Sequence, residues 1–153
     1  MVVGILTINY GSRCACILDS LSRSGHRVKL FVADKQKNPF NVKKATESGG
    51  EHVVISDLNV DSIGKFARKH EREIEFGILG PEAPGMGGVR DVIEKETEIK
   101  MICPTAEHFL EGSKVEQRKL IQEMIPSANP KFRIYNPRDY KSKAEARKDL
   151  YSW

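Results

Sequence analysis

Four short segments concentrate the residues best able to bind charge: Asn9-Tyr10-Gly11-Ser12-Arg13, Asp34-Lys35-Gln36-Lys37-Asn38-Pro39, Gly80-Pro81-Glu82-Ala83-Pro84 and Pro104-Thr105. The first joins the backbone N–H groups of a helix start to the guanidinium of Arg13, a pairing that suits a phosphate. It also reads as a plain turn with a surface arginine, because the three spaced glycines of a dinucleotide fingerprint are absent. For the same reason Asp34, about twenty residues further on, is a weak match to the ribose-binding acid of nicotinamide enzymes. In the third segment two prolines fix the backbone around Glu82, so that one carboxylate is presented to sugar hydroxyls or an amine. A rigid turn with an exposed acid explains that segment equally well. In Glu111-Gly112-Ser113-Lys114 the serine is placed to cap a helix, and Lys114 sits in its first turn, where the macrodipole disfavours a cation. Lys114 therefore reads either as a partner for an anionic ligand or as a solvated surface lysine.

These segments need elements to hold them. Residues 2–8 form a short branched apolar run typical of a buried parallel strand. Ser12 is the expected N-cap of a helix whose apolar residues Cys14, Ile17, Leu18 and Leu21 follow, and Ser24-Gly25 ends it before a second strand at 28–33. Strands at 53–55, 76–79 and 100–103 alternate with helices at 60–70 and around Val89, Val92 and Ile93. Such alternation predicts right-handed crossovers and an α/β, Rossmann-like, doubly wound parallel sheet over residues 1–103. In that architecture ligands bind beyond the carboxyl ends of the strands, where the four segments fall. Residues 104–153 read differently: helices at 106–110 and 113–125, a lone strand at 132–135 and a helix at 141–150, as a connector and the opening of another domain.

Composition narrows the function classes. The 153 residues suffice for one ordinary core plus an appendage. The net charge of +4 comes from 25 basic and 21 acidic residues that are interspersed, so no nucleic-acid footprint stands out. No apolar stretch approaches the ~18 residues of a membrane span. The N-terminus shows no basic leader before its apolar run, and a cytoplasmic location is expected. Cys14, Cys16 and Cys103 lack zinc spacing and are expected to be buried free thiols.

Taken in order, Gly80-Pro81-Glu82-Ala83-Pro84, Gly88, Asp91, Pro104-Thr105, Glu111-Gly112-Ser113-Lys114 and Ile125-Pro126 resemble the phosphoribosylamine-glycine ligases (glycinamide ribonucleotide synthetases) of the ATP-grasp superfamily, and Asn38-Pro39 resembles the archaeal members. The resemblance implies a pre-ATP-grasp, substrate-binding domain at 1–103, with 104–153 a connector and the beginning of an ATP-grasp domain. It implies an ATP-dependent carbon-nitrogen ligase of purine biosynthesis that uses magnesium or manganese to join glycine to 5-phosphoribosylamine. Substrate would meet Gly11, Ser12, Arg13, Asn38, Gly80, Pro81 and Glu82, and Lys114 would face the nucleotide phosphates. No catalytic or metal-binding residue is assigned within the chain. The rest of the ATP site is expected from an ATP-grasp portion in cis or trans, and this chain alone is expected to be inactive and to bind no cofactor tightly. Where the family has glycine-glycine-arginine-glutamate-histidine-alanine, the chain has Gly11-Ser12-Arg13-Cys14-Ala15-Cys16, keeping the arginine. The alternative reading is a non-catalytic phosphosugar-binding or regulatory module on the same fold.

Overall fold

The computed structural model describes residues 2–152, and the chain divides into two compact units after Gly112. In the first unit β1 (Val2–Asn9) is followed by α1 (Gly11–Ser22), β2 (Arg27–Asp34), α2 (Pro39–Glu47) and β3 (Glu51–Val54). Then come α3 (Val60–Lys69), β4 (Phe76–Leu79), the short α4 (Glu82–Met86), α5 (Val89–Glu96) and β5 (Lys100–Ile102). The strands form one parallel sheet in the order β3-β2-β1-β4-β5. This is the doubly wound α/β architecture expected from the alternating pattern.

Alternation along the central strands builds a core on each side. Ile5, Leu30 and Val32 pack with Leu18 of α1 and Ala45 of α2. Leu6, Ile8, Phe31 and Ala33 point the other way, into a larger cluster with Ile63, Phe66 and Ala67 of α3 and Val89 and Ile93 of α5. A parallel strand covered on both faces must be apolar nearly throughout, and the last six residues of β1 are all buried.

Several local expectations need correction. Ser12 does not cap α1: the N-cap is Tyr10, without a side-chain cap bond, because Gly11 enters the helix at φ 75°. The region after Asp34 is not all loop. Asn38 Oδ1 accepts from Phe40 N–H at 3.0 Å, Pro39 occupies the first turn, and α2 begins there. That helix has no large apolar stripe, since its buried positions are Asn41 and Ala45. The turn at Gly80-Pro81 passes directly into α4, which places Glu82 and Pro84 in a helical turn rather than a loop. Residues 106–110 form no α-helix but contribute to two short 3-10 turns, Ala106–His108 and Leu110–Gly112. Asp91 Oδ2 takes the Ala106 N–H at 2.9 Å, and the Phe109 ring occupies the space beside Gly85.

The second unit contains α6 (Lys114–Met124) and α7 (Lys143–Tyr151), capped by Ser113 and Ser142, whose hydroxyls accept from Glu116 and Glu145 N–H at 3.2 and 3.1 Å. Asn129 ties the chain after α6 back to that helix through Arg118 O at 3.0 Å and Gln122 Oε1 at 2.9 Å. Asp149 of α7 accepts from both Arg133 and Tyr140. The lone strand expected at 132–135 is not formed. Those residues lie outside any ladder, and a strand without a neighbour has no partner for its backbone groups. Among the described residues no helix is long and apolar enough to cross a membrane.

If the sheet is the source of stability, Leu6→Ala should cost about 2–5 kcal/mol in urea unfolding. Val54→Ala, at a side chain 46% exposed, should stay within about 0.5 kcal/mol of the parent. Equal losses at both positions would contradict this core assignment.

Candidate functional site

The order of the sheet singles out one place. From β1 the chain moves outward through β2 to β3, then returns to the other side of β1 for β4 and β5. The connections after β1 and β4 therefore diverge to opposite faces and leave a crevice at the carboxyl ends of these two strands. One side carries Gly11, Ser12 and Arg13, and the other Gly80, Pro81 and Glu82. Arg13 Nη2 donates to Glu82 Oε1 across the gap at 2.9 Å, with the two side chains 65% and 40% exposed. Two segments sixty-nine residues apart in the chain thus meet at one point.

The walls of the crevice are fixed by close packing. A Cβ on Gly80 would overlap the Cys14 sulfur and stand 3.0 Å from Ile8 O, so only glycine fits. The Gly80 N–H donates to Ile8 O at 3.0 Å, which extends the β1–β4 pairing into the turn. Cys14 is fully buried; its Sγ accepts from Tyr10 N–H at 3.1 Å and its S–H donates to Tyr10 O at 3.3 Å. These bonds tie Cys14 to the residue that precedes α1 and leave the first N–H groups of the helix without a side-chain cap, available at the crevice. Burial pushes the Cys14 thiol up, so it stays a protonated packing group.

Glu82 opens α4 directly after the buried Pro81. Its own backbone N–H, and then Arg13, hold its carboxyl below the ordinary glutamate value. A lowered carboxyl is charged at neutral pH, so the pair with Arg13 is present there and is lost as pH falls through that lowered value. A second cation lies close by: Lys35 Nζ stands 4.7 Å from the centre of the Tyr10 ring, and Lys35 N–H donates to Asn9 O at 3.0 Å. Neither Lys35 nor Tyr10 was singled out from the sequence as a contact residue. The signal lay in the parallel register, which pairs Asn9 with Asp34 and so sets the next residues side by side.

The other candidates fall elsewhere. Asn38 caps α2, which uses its side-chain oxygen. Asp34 is buried and engaged by Asn41 Nδ2 at 2.6 Å and His52 Nε2 at 3.4 Å, so it serves the fold and not a ribose. Lys114 belongs to the second unit, where its Nζ donates to Gln117 Oε1 at 3.2 Å. Gly88 and Asp91 have structural work: Gly88 takes φ 80° before α5, and Asp91 receives the Ala106 N–H. Contrary to expectation Cys16 is exposed, while Cys14 is buried and Cys103 half-buried, all three as free thiols. A separate cleft, lined by His26, Arg27, Lys44 and Glu47, lies at the amino ends of β1 and β2, opposite the crevice. It is next to the carboxyl ends of α1 and α2, where helix dipoles oppose an anion.

Gly80→Ala should lower stability by about 1–3 kcal/mol through the forced displacement of the Cys14 sulfur. Pairing it with Cys14→Ala should recover part of that loss in a double-mutant cycle. Strict additivity would show that the two residues do not share the wall.

The family model "Phosphoribosylglycinamide synthetase, N domain" matches residues 3–109. A phosphoribosylamine–glycine ligase of Pyrococcus horikoshii is 30% identical over 133 residues, which is 86% of this chain and 28% of that protein. Those of Pseudomonas aeruginosa and Haemophilus influenzae are 33% and 34% identical over 128 residues, 82% of this chain and 28% of theirs. The chain thus spans a little over a quarter of the length of these relatives. With its matched residues covering the whole sheet and both walls of the crevice, the chain belongs to the phosphoribosylglycinamide synthetase N-domain family.

Proposed function

We propose that this chain is the phosphoribosylamine-binding portion of a cytoplasmic phosphoribosylamine-glycine ligase of purine biosynthesis. The observation that carries this reading is the meeting of Arg13 and Glu82 at the switch point between β1 and β4, in a chain of this family. A phosphorylated sugar amine has two unlike ends, an anion and a set of N–H and O–H donors. The crevice has two unlike walls to match. Arg13 and the free N–H groups at the start of α1 suit the phosphate. Glu82 is acceptor-only when ionised and suits the amine or ribose hydroxyls.

In the ligation so proposed, ATP with magnesium or manganese converts the glycine carboxylate to an acyl phosphate. The sugar amine then attacks the acyl carbon, the amide C–N bond forms, phosphate leaves with the bonding pair, and the amine gives up a proton. This chain's residues would hold and orient the nucleophilic amine, with the sugar anchored at its phosphate so that the approach becomes effectively unimolecular. The glycines Gly11 and Gly80 would shape the sugar's surroundings. Lys114, in the first turn of α6, would face the nucleotide phosphates. The remaining ATP-grasp portion, in cis or in trans, would supply the rest of the nucleotide and metal site.

Calorimetric titration with ribose 5-phosphate tests the assignment. Arg13→Ala should weaken binding about tenfold or more by removing a charge-assisted contact. Arg68→Ala should leave it unchanged, because Arg68 stands near the end of α3 and pairs with Glu96. Identical affinities for the parent and both variants would refute the site.

A further inference from the structure

The pairing of Arg13 with Glu82 has a chemical consequence for any ligand that uses Arg13. The guanidinium assigned to phosphate is already engaged by a carboxylate at 2.9 Å. A phosphate that approaches Arg13 must either displace Glu82 or sit beside it as a second anion. We propose that Glu82 is a specificity-determining residue of the crevice, an internal anion that competes for Arg13 and disfavours simple phosphates relative to phosphorylated ligands bearing N–H or O–H donors. This rests on the reading of the crevice as a phosphosugar site, and it adds a rule for choosing among phosphorylated compounds.

Three features support the exchange. Glu82 is held in place: the buried Pro81 and the side-chain-free Gly80, pressed against Cys14, fix the backbone from which the carboxylate projects. The fixed backbone keeps the carboxylate within side-chain reach of any phosphate at Arg13. Second, both partners are partly exposed, so the bond between them is weak and can be opened by a ligand. Third, the two halves of the opened pair have different demands. Arg13 takes the phosphate as a replacement anion, whereas the released Glu82 offers only lone pairs and is satisfied only by a donor. A sugar phosphate can supply that donor through a hydroxyl, and a sugar amine through its amino group. Inorganic phosphate at neutral pH has no donor apart from the P–OH of the anion itself, so its binding sets a second anion beside Glu82 without a separate hydroxyl or amino group to satisfy it.

The test uses two probes, inorganic phosphate and ribose 5-phosphate, titrated into the parent chain, Glu82→Gln, Arg13→Ala and the double variant, with binding followed by calorimetry or amide shifts. Glu82→Gln should bind inorganic phosphate about two- to fivefold more tightly, the scale of one exposed ion pair. The ratio of the two affinities should fall, because the neutral amide neither repels phosphate nor rewards donors as the carboxylate does. The gain for inorganic phosphate should vanish in the double variant. Unchanged or weaker phosphate binding by Glu82→Gln, or an undiminished ratio, would overturn the proposal, as would a failure of both phosphate probes to bind any of the four chains. If inorganic phosphate tightens through Arg13 as expected while ribose 5-phosphate binds no better than phosphate to the parent, the competition by Glu82 stands. The phosphosugar assignment, together with the preference derived from it, is then lost.

Discussion

Everything at the candidate site follows from the central position of β1. This strand is paired on both edges and covered on both faces, so the chain can leave it in only one direction and must return on the other side. Right-handed crossovers then send α1 and α2 to one face and α3 and α5 to the other. The gap between the two diverging connections requires no special sequence. What the sequence adds is the chemistry of its rims, a cation on the β1 side and a carboxylate on the β4 side.

The rims keep their spacing through packing more than through charge. An exposed ion pair is too weak to shape a fold. The contact between Gly80 and the buried Cys14 is of another kind, because a residue with any side chain at 80 would collide with both a sulfur and a backbone carbonyl. Cys14 also closes the start of α1 through its two bonds to Tyr10. One small apolar side chain thus orients the helix whose N–H groups face the crevice and sets how near the Gly80 turn can come.

The sheet was legible because its strands are buried on both faces, which leaves unbroken runs of branched apolar residues such as 2–8 and 28–33. Helices with a clear stripe, α3 and α5, were legible for the same reason. Helix α2 was not, since its inward residues are Asn41 and Ala45, and Asn41 is there to bind Asp34. The expected strand at 132–135 was drawn from local β-propensity, and local propensity cannot supply a neighbouring strand. At the site, the residue types at Arg13 and Glu82 were visible, but their contact was not. It depends on which strands are neighbours, and a sequence of alternating strands and helices does not disclose that β4 returns to the free edge of β1. Lys35 lay within one of the charged segments, but its closeness to Tyr10 depends on the register between β1 and β2, which the sequence does not display.

The proposed function requires ligand to enter at the carboxyl ends of β1 and β4. Amide shift mapping on the 153-residue chain during titration with ribose 5-phosphate addresses it most directly. Entry there should give saturable shifts concentrated at residues 11–14 and 80–83, on the two sides of the crevice. Shifts confined to residues 25–28 and 44–48, around the cleft at the amino ends of β1 and β2, would place the ligand elsewhere.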